Sequence, residues 1–154
     1  MFTLPEIPVS TGAIILDAQG RLLILKPTYK SGWTIPGGIM EADGETPWQA
    51  CRREVGEETG LEVQRGHLVC VDTRPAKKGR KLGLRLLFHC GEVSDEQITR
   101  IQLQLEEISE YRFVALPGGI ELLRPAVRRR VSHGLKAGAR CRYLENGKRV
   151  EALS

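Results

Sequence analysis

Residues 36–61, PGGIMEADGETPWQACRREVGEETGL, constrain the fold more tightly than any other stretch of the chain. Thr46 is a good N-cap and Pro47 suits the first helical position, so a helix is predicted to begin there. Gly60 is the natural stop. Trp48, Cys51 and Val55 fall at i, i+3 and i+7 and mark the core-facing stripe. Glu54, Glu57 and Glu58 then converge on one side of the helix. Like charges at that spacing cost about 0.2–0.5 kcal/mol per pair in an isolated helix. A solvated face absorbs that cost easily. A hard cation would remove it, because magnesium prefers oxygen ligands and shares its shell with water and phosphates.

Around this helix the chain reads as strands alternating with a second helix. Thr11–Asp17 and Arg21–Lys26 are apolar, β-branched runs separated by a turn at Ala18-Gln19-Gly20. Trp33-Thr34-Ile35 is extended, since the residue before Pro36 is pushed out of the α region. Gly37-Gly38 allows a turn or a close backbone approach. Leu61–Asp72 reads as strand broken near Gly66, Leu82–Val93 as a long strand and Glu110–Val114 as another. Ser94 caps a short helical turn. Glu121–Ala137 has helical spacing through Leu122, Leu123, Val127 and Val131, and Arg140–Leu144 is a last short strand. The pattern predicts a sheet with helices packed on its faces. At 154 residues and 41% hydrophobic, residues 1–154 suit one domain with a real core.

Several classes are disfavoured. Cys51, Cys70, Cys90 and Cys141 are widely spaced, with no CxxC pair, which argues against a metal knuckle and fits reduced thiols in a cytoplasmic protein. The N-terminus shows no signal-peptide pattern, and no apolar run reaches membrane-spanning length. A net charge of +4 permits anionic ligands without demanding them.

The array Gly38…Glu45…Arg53-Glu54-Val55-Gly56-Glu57-Glu58-Thr59-Gly60-Leu61, with its lead-in Trp33-Thr34-Ile35-Pro36-Gly37-Gly38, resembles the sequence box of the Nudix hydrolases. One departure stands out. The family pattern has five residues between the glycine and the first glutamate, and six lie between Gly38 and Glu45 here. The seven residues between Glu45 and Arg53 are regular, so the extra residue must bulge in the loop 39–44.

The resemblance implies an α/β/α sandwich around a mixed sheet. It also implies divalent-metal-dependent hydrolysis, with magnesium or else manganese, of a nucleoside diphosphate linked to another moiety. Under it Glu57 and Glu58 are metal ligands, and Glu54 is a ligand or the base that deprotonates the attacking water. Arg53 pairs with Glu45 to hold the loop against the helix, and a carbonyl at Gly37 or Gly38 completes the shell. A later acidic ligand is expected from LEEISEYRFV, with Glu107 favoured over Glu106 and Glu110. The implied partner is a nucleotide-type small molecule, and monomer and homodimer are both left open.

Other residues carry weaker signals. Tyr29 and Trp33 could stack on a base, although Trp33 is more commonly a packing residue. Lys77, Lys78, Arg80 and Lys81 form a compact basic loop that either clamps phosphates or solubilises a hairpin tip. Arg128, Arg129 and Arg130 point to different sides of one helix and read as solvated. His67, His89 and His133 lack metal-ligand spacing. Two rival functions stand beside hydrolysis. One is a catalytically silent nucleotide sensor, which the intact box acids argue against. The other is RNA-end processing or RNA binding, for which no aromatic-basic interleaving speaks.

Overall fold

A computed structural model describes residues 1–153. The elements follow in the order β1 (Val9–Leu16), β2 (Leu22–Pro27), β3 (Gly37–Ile39), α1 (Pro47–Thr59), β4 (His67–Arg74), β5 (Gly83–Glu92), α2 (Asp95–Thr99), β6 (Ile108–Val114), α3 (Pro125–Lys136), β7 (Arg142–Glu145) and β8 (Lys148–Arg149). Short 3₁₀ turns cover Gly118–Leu122 and Glu151–Leu153.

The strands form one mixed sheet in the order β6-β2-β1-β5-β4-β7-β8, with β3 paired to β1. β1–β5 and β4–β7 are parallel and the other pairs antiparallel. Alternation along β1 and β2 divides the apolar side chains between two cores. Ala13, Ile15, Leu23 and Leu25 pack with Cys51 and Val55 of α1. Ile14, Leu22 and Ile24 pack with Val127 and Val131 of α3. The helices therefore lie on opposite faces of a mixed sheet, as expected.

Helix α1 ends where local chemistry dictates. The Thr46 side chain accepts from the Gln49 N–H, Gln49 returns a bond to the Thr46 N–H, and Gly60 closes the helix at φ 76°. Ser94 caps α2 in the same way.

Two expectations are corrected. The predicted helix over 121–137 is interrupted: Leu122 ends a 3₁₀ turn, Leu123 and Arg124 are extended, and α3 starts at Pro125. The proline ring forces Arg124 off the α region (φ −57°, ψ 146°) and takes the N1 position, overriding the apolar spacing on either side. The segment 61–66 joins no ladder, although Leu61 and Val63 are buried, and the strand begins only at His67. Gly66 lies against the Trp48 ring, where a Cβ would come within 2.8 Å of it.

Candidate active site

Glu58, in the last turn of α1, is a carboxylate with almost no solvent: 4% of the residue is exposed. Its Oε1 accepts the Gly37 N–H at 2.8 Å, which ties α1 to β3. Burial pushes its carboxyl up to about 8. The Gly37 bond opposes that shift, and the negative neighbours Glu54, Glu107 and Glu57 add to it. Glu54 is also raised, by burial first, with Arg53 pulling the other way.

Both glycines of the loop are there for space. Gly37 (φ 153°) packs directly on the backbone of Thr11 and Gly12. A Cβ at Gly38 would collide with the Glu54 carboxylate. The close approach of β3 to the acids thus requires an absent side chain.

Arg53 organises the rest. Its Nε and Nη2 grip Glu45 at 2.7 and 3.1 Å in the expected pairing. Nη2 also donates to the Ile39 carbonyl at 3.1 Å, and Nη1 reaches Glu54 at 3.0 Å and Glu57 at 3.2 Å. Glu41, on the surface, stands 3.6 Å away. One guanidinium faces four carboxylates, so the wall keeps a negative surplus. The extra loop residue is absorbed where Asp43 and Gly44 take left-handed φ values of 70° and 91°, and the Glu41 N–H bonds Glu45 at 2.8 Å. The register of α1 is untouched.

These groups open onto a cleft of about 980 Å³. Glu54, Glu58 and Glu107 line one side, and Glu107 reaches it from the loop before β6. Among the described residues, no set of three or more His, Cys, Asp or Glu side chains is gathered closely enough to hold a metal ion; Arg53 engages Glu54 and Glu57. The donor chemistry nonetheless suits a hard cation. It is all carboxylate and carbonyl oxygen, with a buried acid whose charge lacks a cationic partner.

Tyr29, Lys77 and Arg80 also line the cleft. Trp33 does not: it is 8% exposed in the α3-side core, with the Arg112 guanidinium 4.7 Å from its ring centroid. Packing, not base stacking, is its role here. The reading of Arg130 as solvated is likewise corrected. Its Nε donates to the nearly buried Asp72 at 2.9 Å, because α3 turns this arginine towards β4.

Four basic residues that the sequence did not propose for the site also line the cleft: Arg74, Arg85, Arg124 and Lys30. Two local signals were Arg74, at the start of the basic stretch RPAKKGRK, and Arg85, a charge within the apolar run LGLRLLF. The four cysteines are free thiols, and no helix among the described residues is long and apolar enough to cross a membrane.

Comparisons with known proteins agree with this geometry. A family model described as the NUDIX domain matches residues 6–131. A MutT-like protein of Streptomyces ambofaciens is 40% identical over 108 residues, covering 66% of this chain and 67% of that protein. Phosphatase NudJ of Escherichia coli K12 is 39% identical over 64 residues, spanning 40% of this chain and only 41% of NudJ. Among solved structures, a MutT protein from Methanosarcina mazei superposes with a TM-score of 0.72 at 25% identity, covering 88% of this chain and 99% of that one. The NUDIX domain of Shewanella oneidensis NrtR, solved with ADP ribose, superposes at 0.70 with 13% identity, over 86% and 89%. With the family model spanning most of the chain and the box on its helix, the chain belongs to the Nudix family of hydrolases, which act on nucleoside diphosphate derivatives.

Proposed function

We propose that this hydrolase cleaves a phosphoanhydride bond of a nucleoside diphosphate linked to a second moiety, with magnesium or manganese held by Glu57, Glu58 and Glu107 and with Glu54 as the base. The observation that carries the reading is the buried Glu58 carboxylate, fixed by the Gly37 N–H and surrounded by further acids at the mouth of the cleft. When bound, the cation would neutralise the phosphate oxygens and make bound water more acidic. Glu54, raised in pKa by burial, takes the proton of the attacking water. Arg53 and Glu45 hold the loop and helix in register so that the acids keep their positions. Tyr29 and the basic residues Lys77 and Arg80 contact the rest of the substrate. Candidate substrates are nucleoside triphosphates, their oxidised forms, ADP-ribose and other nucleotide sugars.

A second reading has its own observation. Arg53 Nη1 bonds both Glu54 and Glu57, and a protein that kept this arrangement permanently would bind nucleotides without turning them over. Product release from a panel of these substrates, with and without magnesium and with Glu57→Gln alongside, separates the two. Magnesium-dependent turnover that drops at least a hundredfold in Glu57→Gln supports hydrolysis. Nucleotide binding with no turnover of any substrate supports the silent module.

A further inference from the structure

Three arginines that line the cleft each bury one donor nitrogen that has no acceptor among the described residues. These are Arg74 Nε, Arg80 Nε and Arg124 Nη1. Arg74, at the end of β4, and Arg80, in the β4–β5 loop, cluster around Arg85, whereas Arg124, before α3, stands by Tyr29 and Lys30 and is not part of the cluster. Arg85 comes from β5 and donates through Nη1 to Ser10 Oγ. The nearest acid, Asp72, is already used: Oδ2 takes Arg130 Nε and Oδ1 takes the Gly147 N–H. Buried donors left unmade cost free energy, and clustered like charges cost more.

We propose that this arginine cluster is a second anion site, and that the enzyme acts on nucleoside diphosphate derivatives carrying a further phosphate away from the scissile bond. This rests on the hydrolase reading above and names its substrate class. A phosphate has enough oxygens to accept from several guanidinium groups at once, and the planar fork of arginine matches it.

Position separates this site from the scissile diphosphate. Ile39, Ser10, Arg85 and Asp72 are consecutive partners across β3, β1, β5 and β4. At about 4.8 Å per strand, β5 lies about 10 Å and β4 about 14 Å from β3, whose Gly37 and Gly38 touch Glu58 and Glu54. A diphosphate held by the acids does not fill both ends. Between them the floor is apolar, with Ile35, Leu87 and Val127, which suits the organic body of a substrate. Burial first, and then the neighbours Arg74, Arg130 and Arg80, also push Arg85 down to about 10, with Asp72 opposing them.

The test has two limbs. First, inorganic phosphate is titrated into the protein in the presence of a chelator, by calorimetry and thermal unfolding. Millimolar or tighter binding is expected, with affinity reduced at least tenfold in Arg85→Gln and in Arg74→Gln, and retained in Glu57→Gln. Without phosphate, both arginine variants should unfold at a higher temperature than the wild type, because repulsion is relieved; a structural arginine would do the reverse. Arg85→Lys keeps the charge and serves if a glutamine variant fails to fold.

Second, kcat/KM is compared for NADP against NAD and for coenzyme A against its dephospho form, each pair differing by one phosphate. A preference of at least tenfold for the phosphorylated member of one pair, shrinking in Arg85→Gln, is expected. Failure of phosphate to bind, binding indifferent to both arginines, or equal kcat/KM within the pairs overturns the proposal. Intact phosphate binding with no hydrolysis of anything would remove the hydrolase reading and leave the anion site standing.

Discussion

Glu58 concentrates the electrostatics of this protein in one side chain. Its carboxyl is raised from an ordinary 4.5 to about 8, so the native state binds its proton more tightly than the unfolded chain. The stability this contributes is complete below about pH 4.5 and lost as pH climbs through about 8. At about 1.4 kcal/mol per unit, the loss amounts to a few kcal/mol. Chelated wild-type protein should therefore show a falling melting temperature from pH 5 to 9, and Glu58→Gln a much flatter profile. Magnesium should restore the wild type most strongly at the alkaline end. Parallel profiles for the two proteins would refute this account of Glu58. Gly38 supplies a steric test of the same neighbourhood. Gly38→Ala places a methyl against the Glu54 carboxylate and should cut kcat at least tenfold while leaving the α1 caps intact. Unchanged kcat would show that the Glu54 position is not critical.

At the scale of elements, α1 is a platform whose ends are set by its own residues. Thr46→Ala removes the N-terminal box and should cost about 1 kcal/mol, read as a lower melting temperature with the substrate preference unchanged. Contacts between elements weigh more. Arg130→Met leaves the buried Asp72 only the Gly147 N–H as a hydrogen bond, beside the Arg85 charge, and should cost about 1–3 kcal/mol, read from denaturant unfolding. A loss below 1 kcal/mol would mean that water reaches Asp72. These two cases also mark what was legible in the sequence. The helix, its caps and the converging acids depend on neighbours a few residues apart, so Thr46, Pro47 and Gly60 announced them. The Arg130–Asp72 pair spans 58 positions and depends on which face of α3 meets β4. Pro125 did carry a visible signal, but the apolar spacing through Leu122, Leu123, Val127 and Val131 masked the break at Arg124.

Across the whole molecule, a mixed sheet separates two cores and carries one cleft with opposite charge at its two ends. The acidic end comes almost entirely from one continuous box and was readable. The basic end draws on β4, the β4–β5 loop and β5, which only the strand order sets beside β1 and β3. Arg74, Lys77 and Arg80 were visible as a basic stretch; the arrangement of Arg74 and Arg80 around Arg85 was not. Trp33 shows the converse: an aromatic next to the loop that the packing of α3 withdraws into the core.

The central claim is that the acidic end holds a divalent cation on which hydrolysis depends. The most direct measurement is manganese binding followed by the loss of free-ion electron paramagnetic resonance signal, on the wild type, Glu57→Gln and Glu58→Gln at pH 8. A saturable site is expected in the wild type, weakened at least tenfold in each variant and displaced by magnesium. Equal manganese binding by all three proteins, or none by the wild type, would contradict it.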